Sequence, residues 1–417
     1  MANEAQPDTW LTARRLRAHA LLLGATLWLV YLWTLTTPGL RDRNGNLKGT
    51  DFLHFYTLGW LAQAHRGADL YDVAAQSALV ARVVPDAAGI RYLPLYPPQV
   101  SIMFAPLARL PYGLALAAWW LTSAIIYAIC CNWVWRACPG LRSQAVTVAL
   151  LTFGFPAFFH SIAWGQASVV ALGIFTLTFI FLRDEREFLA GLAFGCLIFK
   201  PQLGLAGAIV LVATGAWRVL AGAAISGTLE VLAGVLFYGP DPFRTWVRML
   251  ENVRNLLPLF EPKPYQTHCL RTFWSMMMPW ETASFALYLI SAGLVLIITA
   301  AIWKRRETPL ALRYSALLLA SVLVASHLTV YDLVILAPAL LLLADWIVRQ
   351  PFKPANRRMG NLLYLVYMLP LVGPLSRWSH VQLSVIAMAM LLYLVWRQAV
   401  ELGSTGQPGA AVATQAL

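Results

Sequence analysis

The sequence predicts an all-α polytopic membrane protein, a single integral membrane domain running over residues 1–417. Three observations predict it. Hydrophobic residues make up 59% of the chain. Charged residues make up only 12%, about half the share of an ordinary soluble domain. The apolar residues fall in a dozen runs, many near the ~20 residues that a spanning helix needs. This composition excludes disorder and most soluble folds. The net charge of +12 is scattered between the apolar runs rather than grouped with aromatics on a polar face, so it reports topology, and no nucleic-acid partner is expected.

In chain order, segment 1–17 carries Arg14, Arg15 and Arg17 ahead of an apolar stretch longer than a signal-peptide core and without a small-residue cleavage site. It is read as a cytoplasmic N-terminus before a retained first span at 18–37. Segment 38–109 is a long first extracytoplasmic loop. Spans follow at 110–135, 143–163, 167–182, 187–199, 201–217 and 219–238, then a second large extracytoplasmic loop at 239–281. The last five spans are expected at 282–303, 309–327, 330–348, 360–375 and 381–400, and several of the twelve are too short to cross straight. With the N-terminus inside, Arg136, Arg142, Arg183, Arg186, Arg218, Lys304, Arg305 and Arg306 collect on the cytoplasmic side. The short outer connections hold only Lys200 and Arg377, so both termini are expected inside, in a multi-pass protein of the cell (inner) membrane with its working face outward. The tail 401–417 is small and polar and is read as disordered. No internal repeat is visible. The cysteines have no metal-like spacing, and adjacent Cys130 and Cys131 point to different helix faces, so disulfides are not expected.

Apolar pieces meet at Gly165-Gln166, at Lys200-Pro201 and between His327 and Asp332. Broken helices at membrane depth are tolerated where they line protein or water, so these breaks are expected to border a cavity open to the outside. Lys200, inside LIFKPQLGL, is the leading cation: an ionisable residue in an apolar stretch is costly and is by default a functional candidate. Its alternative is a lysine snorkelling to the interface. His327 and Asp332, with Tyr331, either bind a ligand in that cavity or close a hydrogen-bonded helix turn. The Gln166 amide suits a polar ligand or a helix start. Arg254 stands in the loop from Asp241 to Trp280, where Arg244, Arg248, Lys263, His268 and Arg271 alternate with Trp246, Phe260, Tyr265 and Trp274. That mixture fits anionic lipid headgroups, or a generic interfacial belt. Glu230, in TLEVLAG, has no assigned role.

Within the first loop, residues 50–72 place Phe52, Phe55, Tyr56, Leu58, Gly59 and Leu61 at helical spacing beside His54, Gln63 and Arg66. They predict an amphipathic helix lying on the membrane surface. Asp51 stands at its start, where a carboxylate accepts backbone N–H bonds as an N-cap. A turn at Gly67 to Asp72 and an extended strap at Arg91 to Pro98 follow.

The order Asp51-Phe52, Tyr56, Gly67 to Leu70-Tyr71-Asp72, Tyr96-Pro97-Pro98, Pro106, Leu110-Pro111, Gly165-Gln166 and Lys200-Pro201 resembles glycosyltransferase family 87, in layout over residues 15–350. The resemblance implies a GT-C fold and a membrane enzyme of cell-envelope biosynthesis. It would move a hexose, mannose in typical members, from a polyprenyl-phosphate donor to an extracytoplasmic lipid or glycan acceptor. It implies Asp51 as general base; for such a donor and acceptor the substrate-binding candidates are Tyr56 and Tyr71 of the first loop and, from the residues read above, Gln166, Lys200, His327, Asp332 and Arg254, binding sugar or phosphate. Leu53-His54 departs from the match, and the last two spans align with nothing. The chemistry is consistent: a phosphate already leaves well, so one base and groups that hold the phosphate suffice, without the paired carboxylates of glycoside hydrolysis. Displacement with one base inverts the anomeric centre. No cofactor is expected beyond the lipid-linked sugar as co-substrate, and no metal, since there is no Asp-x-Asp cluster. Two other classes remain: a transporter, because broken helices with Lys200 and Glu230 are also what transporters carry, and a non-catalytic binder of lipid-linked sugar.

Overall fold

The computed structural model describes residues 12–252, 255, 261, 263–351 and 354–404. Arg254, Phe260 and the tail beyond residue 404 lie outside the described residues. Among those described, the structure is helical, and bridges outside the helices are confined to Arg41 with Leu47 and Thr267 with Thr329. The first half comprises α1 (Ala13–Leu35), α2 (Phe52–Gln63), α3 (Val73–Val83), α4 (Val100–Phe104), α5 (Tyr112–Arg136), α6 (Ala145–Phe153), α7 (Pro156–Trp164), α8 (Ser168–Arg183), α9 (Glu187–Gly195), α10 (Pro201–Ala213), α11 (Trp217–Tyr238) and α12 (Asp241–Glu251). Helices Leu270–Met277, Glu281–Lys304, Leu310–Val324, Ala337–Arg349, Pro354–Met368 and Leu383–Ser404 complete the main elements.

Among the described residues, seven helical segments are long and apolar enough to cross a membrane alone, and the pair Pro139–Phe153 and Pro156–Trp164, bent by 42°, makes an eighth if it is one span. The bend falls where Phe155 is extended ahead of Pro156, which has no N–H to continue the ladder. The remaining expected spans are the shorter apolar helices α8, Glu187–Phe199, α10 and Leu310–Val324. The chain is thus a multi-pass membrane protein that combines full spans with short helices. Leu310–Val324 is buried over most of its length, and Tyr314 in its second turn donates to the Phe175 carbonyl at 2.5 Å. On the periphery Leu22, Leu236 and Ile290 are 70%, 78% and 70% exposed, a surface suited to lipid rather than water.

Helices α9 and α11 cross with their backbones in contact. A Cβ on Gly191 would stand 2.0 Å from the Val219 carbonyl oxygen, and one on Gly222 2.2 Å from that of Phe188. Small residues permit such an approach, which dispersion and not the hydrophobic effect must hold together in lipid.

The first long connection corrects one expectation. Helix α2 forms where predicted, but it is not an amphipathic helix on a surface: Phe52, Leu53, Phe55 and Leu61 are at most 1% exposed, and Tyr56, Leu58 and Ala62 are buried too. Apolar side chains occupy its whole circumference, and a helix apolar all round belongs in a core. The amphipathic helix is α12 in the second long connection, where Phe243 and Trp246 are half-buried and Arg244 and Arg248 exposed. Trp246 Nε1 donates to the Leu95 carbonyl at 3.0 Å, so α12 braces the irregular strap at 90–97. Tyr71 holds the strap as well, donating to the Tyr96 carbonyl at 2.9 Å. Glu230 gains a role here: it accepts from Gln99 Nε2 at 3.2 Å and ties the end of the strap to α11. The five cysteines are free thiols.

Candidate active site

The site is assembled from three helix breaks and the start of α2. Helix α7 ends because Gly165 adopts φ +71°, a conformation that favours glycine, and a Cβ there would also lie 2.6 Å from the Phe52 Cβ. The turn is fixed from outside. Trp119 Nε1 donates to the Gly165 carbonyl at 3.1 Å, Trp120 Nε1 to that of Ile162 at 2.7 Å, and the Asp51 N–H to that of Trp164 at 2.9 Å. These bonds place Gln166 against Asp51, and Gln166 Nε2 donates to Asp51 Oδ2 at 2.5 Å.

Asp51 occupies the N-cap position of α2 without acting as a side-chain cap. Its backbone is already helical, with φ −73° and ψ −22°, and its carboxylate makes no capping bond. An N-cap side chain reaches back to the first turn from extended dihedrals; here the carboxylate turns instead to Gln166. Asp51 is half-buried. Burial pushes its pKa up to about 6, and the Asp332 charge adds to this against the lowering effects of the Gln166 bond and the Lys200 charge.

At the second break, Pro201 ends the hydrogen-bonded turn at Cys196–Phe199, and Lys200 leaves the helix at φ −142°, ψ 67°. The ammonium points inward rather than snorkelling: Lys200 is 4% exposed and forms an ion pair with Asp332, itself 1% exposed. It also donates to Ser168 Oγ at 3.3 Å, hydrogen-bonds Tyr96, and lies 5.4 Å over the Tyr331 ring. At the third break Asp332 closes the hydrogen-bonded turn read from its sequence and also faces Lys200. Its Oδ2 accepts from Thr329 N at 3.3 Å, closing a capping box, while Oδ1 takes Lys200 and the Ser168 hydroxyl, the latter at 2.6 Å.

His327 belongs to an adjoining cluster. Its Nδ1 lies 2.5 Å from Glu261 Oε1, which also pairs with Arg271, while Thr272 Oγ1 donates to Glu261 Oε2 at 3.2 Å. Burial raises the Glu261 carboxyl, but His327 and Arg271 outweigh it and leave the group below its ordinary value.

The structure therefore brings together Asp51, Gln166, Lys200 and Asp332, with His327 beside them. Tyr56 serves the packing, donating to the Leu110 carbonyl at 2.8 Å, and Tyr71 supports the strap. Sequence reasoning missed three residues. Ser168 bridges Lys200 and Asp332, and nothing at a helix start marks it. Tyr92 donates to the Thr50 carbonyl next to Asp51; it was visible only as part of a stiff strap. Glu261 carried one signal, an acid in a basic loop. Among the described residues, no three His, Cys, Asp or Glu side chains are grouped to hold a metal ion.

A model of glycosyltransferase family 87 matches residues 95–330. The chain belongs to glycosyltransferase family 87. The matched stretch takes in Tyr96-Pro97-Pro98, Gln166, Lys200 and His327, and it begins after Asp51. A family 87 chain with these spans is a membrane glycosyltransferase, and its broken helices need no transport role to account for them. No curated protein and no solved structure matches the chain.

Proposed function

We propose that this family 87 enzyme transfers a hexose, mannose in keeping with the resemblance, from a polyprenyl-phosphate donor to a hydroxyl of a lipid or glycan acceptor on the extracytoplasmic side of the cell membrane. The observation that carries the proposal is Asp51: a half-buried carboxylate with a pKa raised to about 6, oriented by Gln166 and set beside the buried cation Lys200. A base should titrate near the working pH and be held in place by its neighbours. In the step, the acceptor oxygen bonds to the anomeric carbon as the bond from that carbon to the phosphate oxygen breaks. The acceptor proton goes to Asp51, the phosphate leaves with the electron pair, and the anomeric centre inverts. Lys200 supplies positive charge to the leaving phosphate.

The lipid part of the donor has a physical counterpart in an apolar groove of about 670 Å³ between α9, α10 and α11. Leu197, Pro201, Leu205, Val231, Leu232 and Val235 line it, and Pro201 is the residue after Lys200. A polyisoprenoid chain in that groove would deliver its phosphate toward the cation.

The test is transfer in membranes containing the protein, with a panel of radiolabelled polyprenyl-phosphate hexoses, a mixed acceptor pool and Asp51→Asn in parallel. A positioned base contributes about 10²–10⁴-fold, so labelled product should fall to background in the variant while the protein stays inserted and folded. Normal turnover by Asp51→Asn would remove Asp51 as the base. Donor binding by the wild type without turnover would make the protein a binder of lipid-linked sugar.

A further inference from the structure

His54 lies one helical turn beyond Asp51 on α2, so the two share a face of the helix. It is 5% exposed, and neither Nδ1 nor Nε2 has a hydrogen-bond partner. Among the described residues, it is the one side chain in which two buried polar atoms are both left unpaired. Burial lowers its pKa to about 4, so the ring is neutral in ordinary buffers, with one N–H to donate and one nitrogen to accept. Buried polar groups are normally satisfied, and an orphan at a site asks what it is kept for. Around the ring stand Phe55 and the two strap tyrosines, with centroids 5.3 Å away at Tyr92 and 5.9 Å at Tyr96. Phenylalanine would fill such a pocket without leaving any nitrogen unpaired.

We propose that His54 reads a sugar hydroxyl: in the loaded enzyme its imidazole donates to, or accepts from, one hydroxyl of the transferred hexose or of a sugar acceptor beside Asp51. The pair of ring nitrogens matches a hydroxyl, which is itself both donor and acceptor. The wall over the ring is the segment at 90–97, which carries no regular structure, and half-buried Tyr92, the nearest ring, would have to release the Thr50 carbonyl to admit the sugar. His54 is thereby a specificity-determining residue. This inference rests on the proposed role of the Asp51 cluster, and it falls at a position where the chain departs from the family resemblance.

The experiment measures kcat and KM for wild type, His54→Phe, His54→Gln and Asp51→Asn with a series of monodeoxy donors and, separately, monodeoxy acceptors. Wild type should lose about 10–100-fold in kcat/KM on one deoxy sugar, since a site built to bond a hydroxyl rejects the analogue without it. His54→Phe should treat that sugar and its parent alike, and His54→Gln should recover part of the discrimination. Whether the sensitive sugar is a donor or an acceptor identifies the source of the hydroxyl. Without substrate, His54→Phe should melt at or above the wild-type temperature. Full discrimination retained by His54→Phe, with Asp51→Asn inactive, overturns the inference and leaves the base proposal standing; an active Asp51→Asn overturns the base proposal instead. A lowered melting temperature in both His54 variants would make the imidazole a structural group and also overturn the inference.

Discussion

Replacing Gln166 by leucine removes the amide that donates to Asp51 and leaves the carboxylate in its half-buried place. A hydrogen bond to an ionised group is worth about 1.5–3 kcal/mol, and one pKa unit corresponds to about 1.36 kcal/mol, so Asp51 should rise by roughly one to two units. The starting value is about 6, which puts the variant at about 7–8. A general base acts in its deprotonated form, so kcat/KM falls as pH drops through the base's pKa, and the acid limb of the profile should move upward by the same amount. At pH 7 the wild-type base is about 90% ionised; a base at about 8 is about 10% ionised, a loss of roughly ninefold that should nearly vanish by about pH 9. The assay is the initial rate of transfer at subsaturating donor across this pH range, in reconstituted membranes. A uniformly lower rate with an unmoved acid limb would refute the assignment of Asp51 as the titrating base.

The ion pair and the turn give two further tests. Lys200→Met leaves Asp332 buried without its counter-charge, which costs about 3–5 kcal/mol and should appear as a lower melting temperature in detergent. Adding Asp332→Asn should restore the fold but not the transfer, and recovered transfer would reduce the pair to a structural tie. Gly165→Ala should destabilise by about 1–2 kcal/mol from the left-handed backbone alone, more with the contact to Phe52, and slow transfer by displacing Gln166. Unchanged melting and rate in this variant would show that the turn tolerates a Cβ.

The spans and the breaks were legible in the sequence because both are local. Hydropathy marks a helix within some twenty residues, and Gly165, Pro201 and the polar residues around His327 interrupt it where they stand. Asp51 was singled out as a candidate by the short motif around it. What joins the breaks was not legible, since Lys200 and Asp332 are 132 residues apart and Asp51 and Gln166 are 115 apart. Helix α2 was misread for a related reason. His54 and Gln63 look like a polar face in a local window, and only the packing of the strap and α4 over that face buries it. Gln63 reaches the Ala105 carbonyl, whereas His54 has no partner at all. A periodicity argument treats the two residues alike.

The separation of Lys200 from its counter-ion has a consequence for biogenesis. A ribosome adds about 5–20 residues per second, so after Lys200 is synthesised, roughly 7–26 s pass before Asp332 is added. During that interval the nascent chain holds a lysine between two short apolar helices, at an insertion penalty of about 2.5–3.5 kcal/mol if it sits at membrane centre. The first half of the chain therefore waits, incompletely settled, for a residue of the second half. Insertion factors that shelter unfinished membrane helices would act on this chain in that window, and a message truncated before codon 332 would yield a product marked for proteolysis by its own unmatched charge.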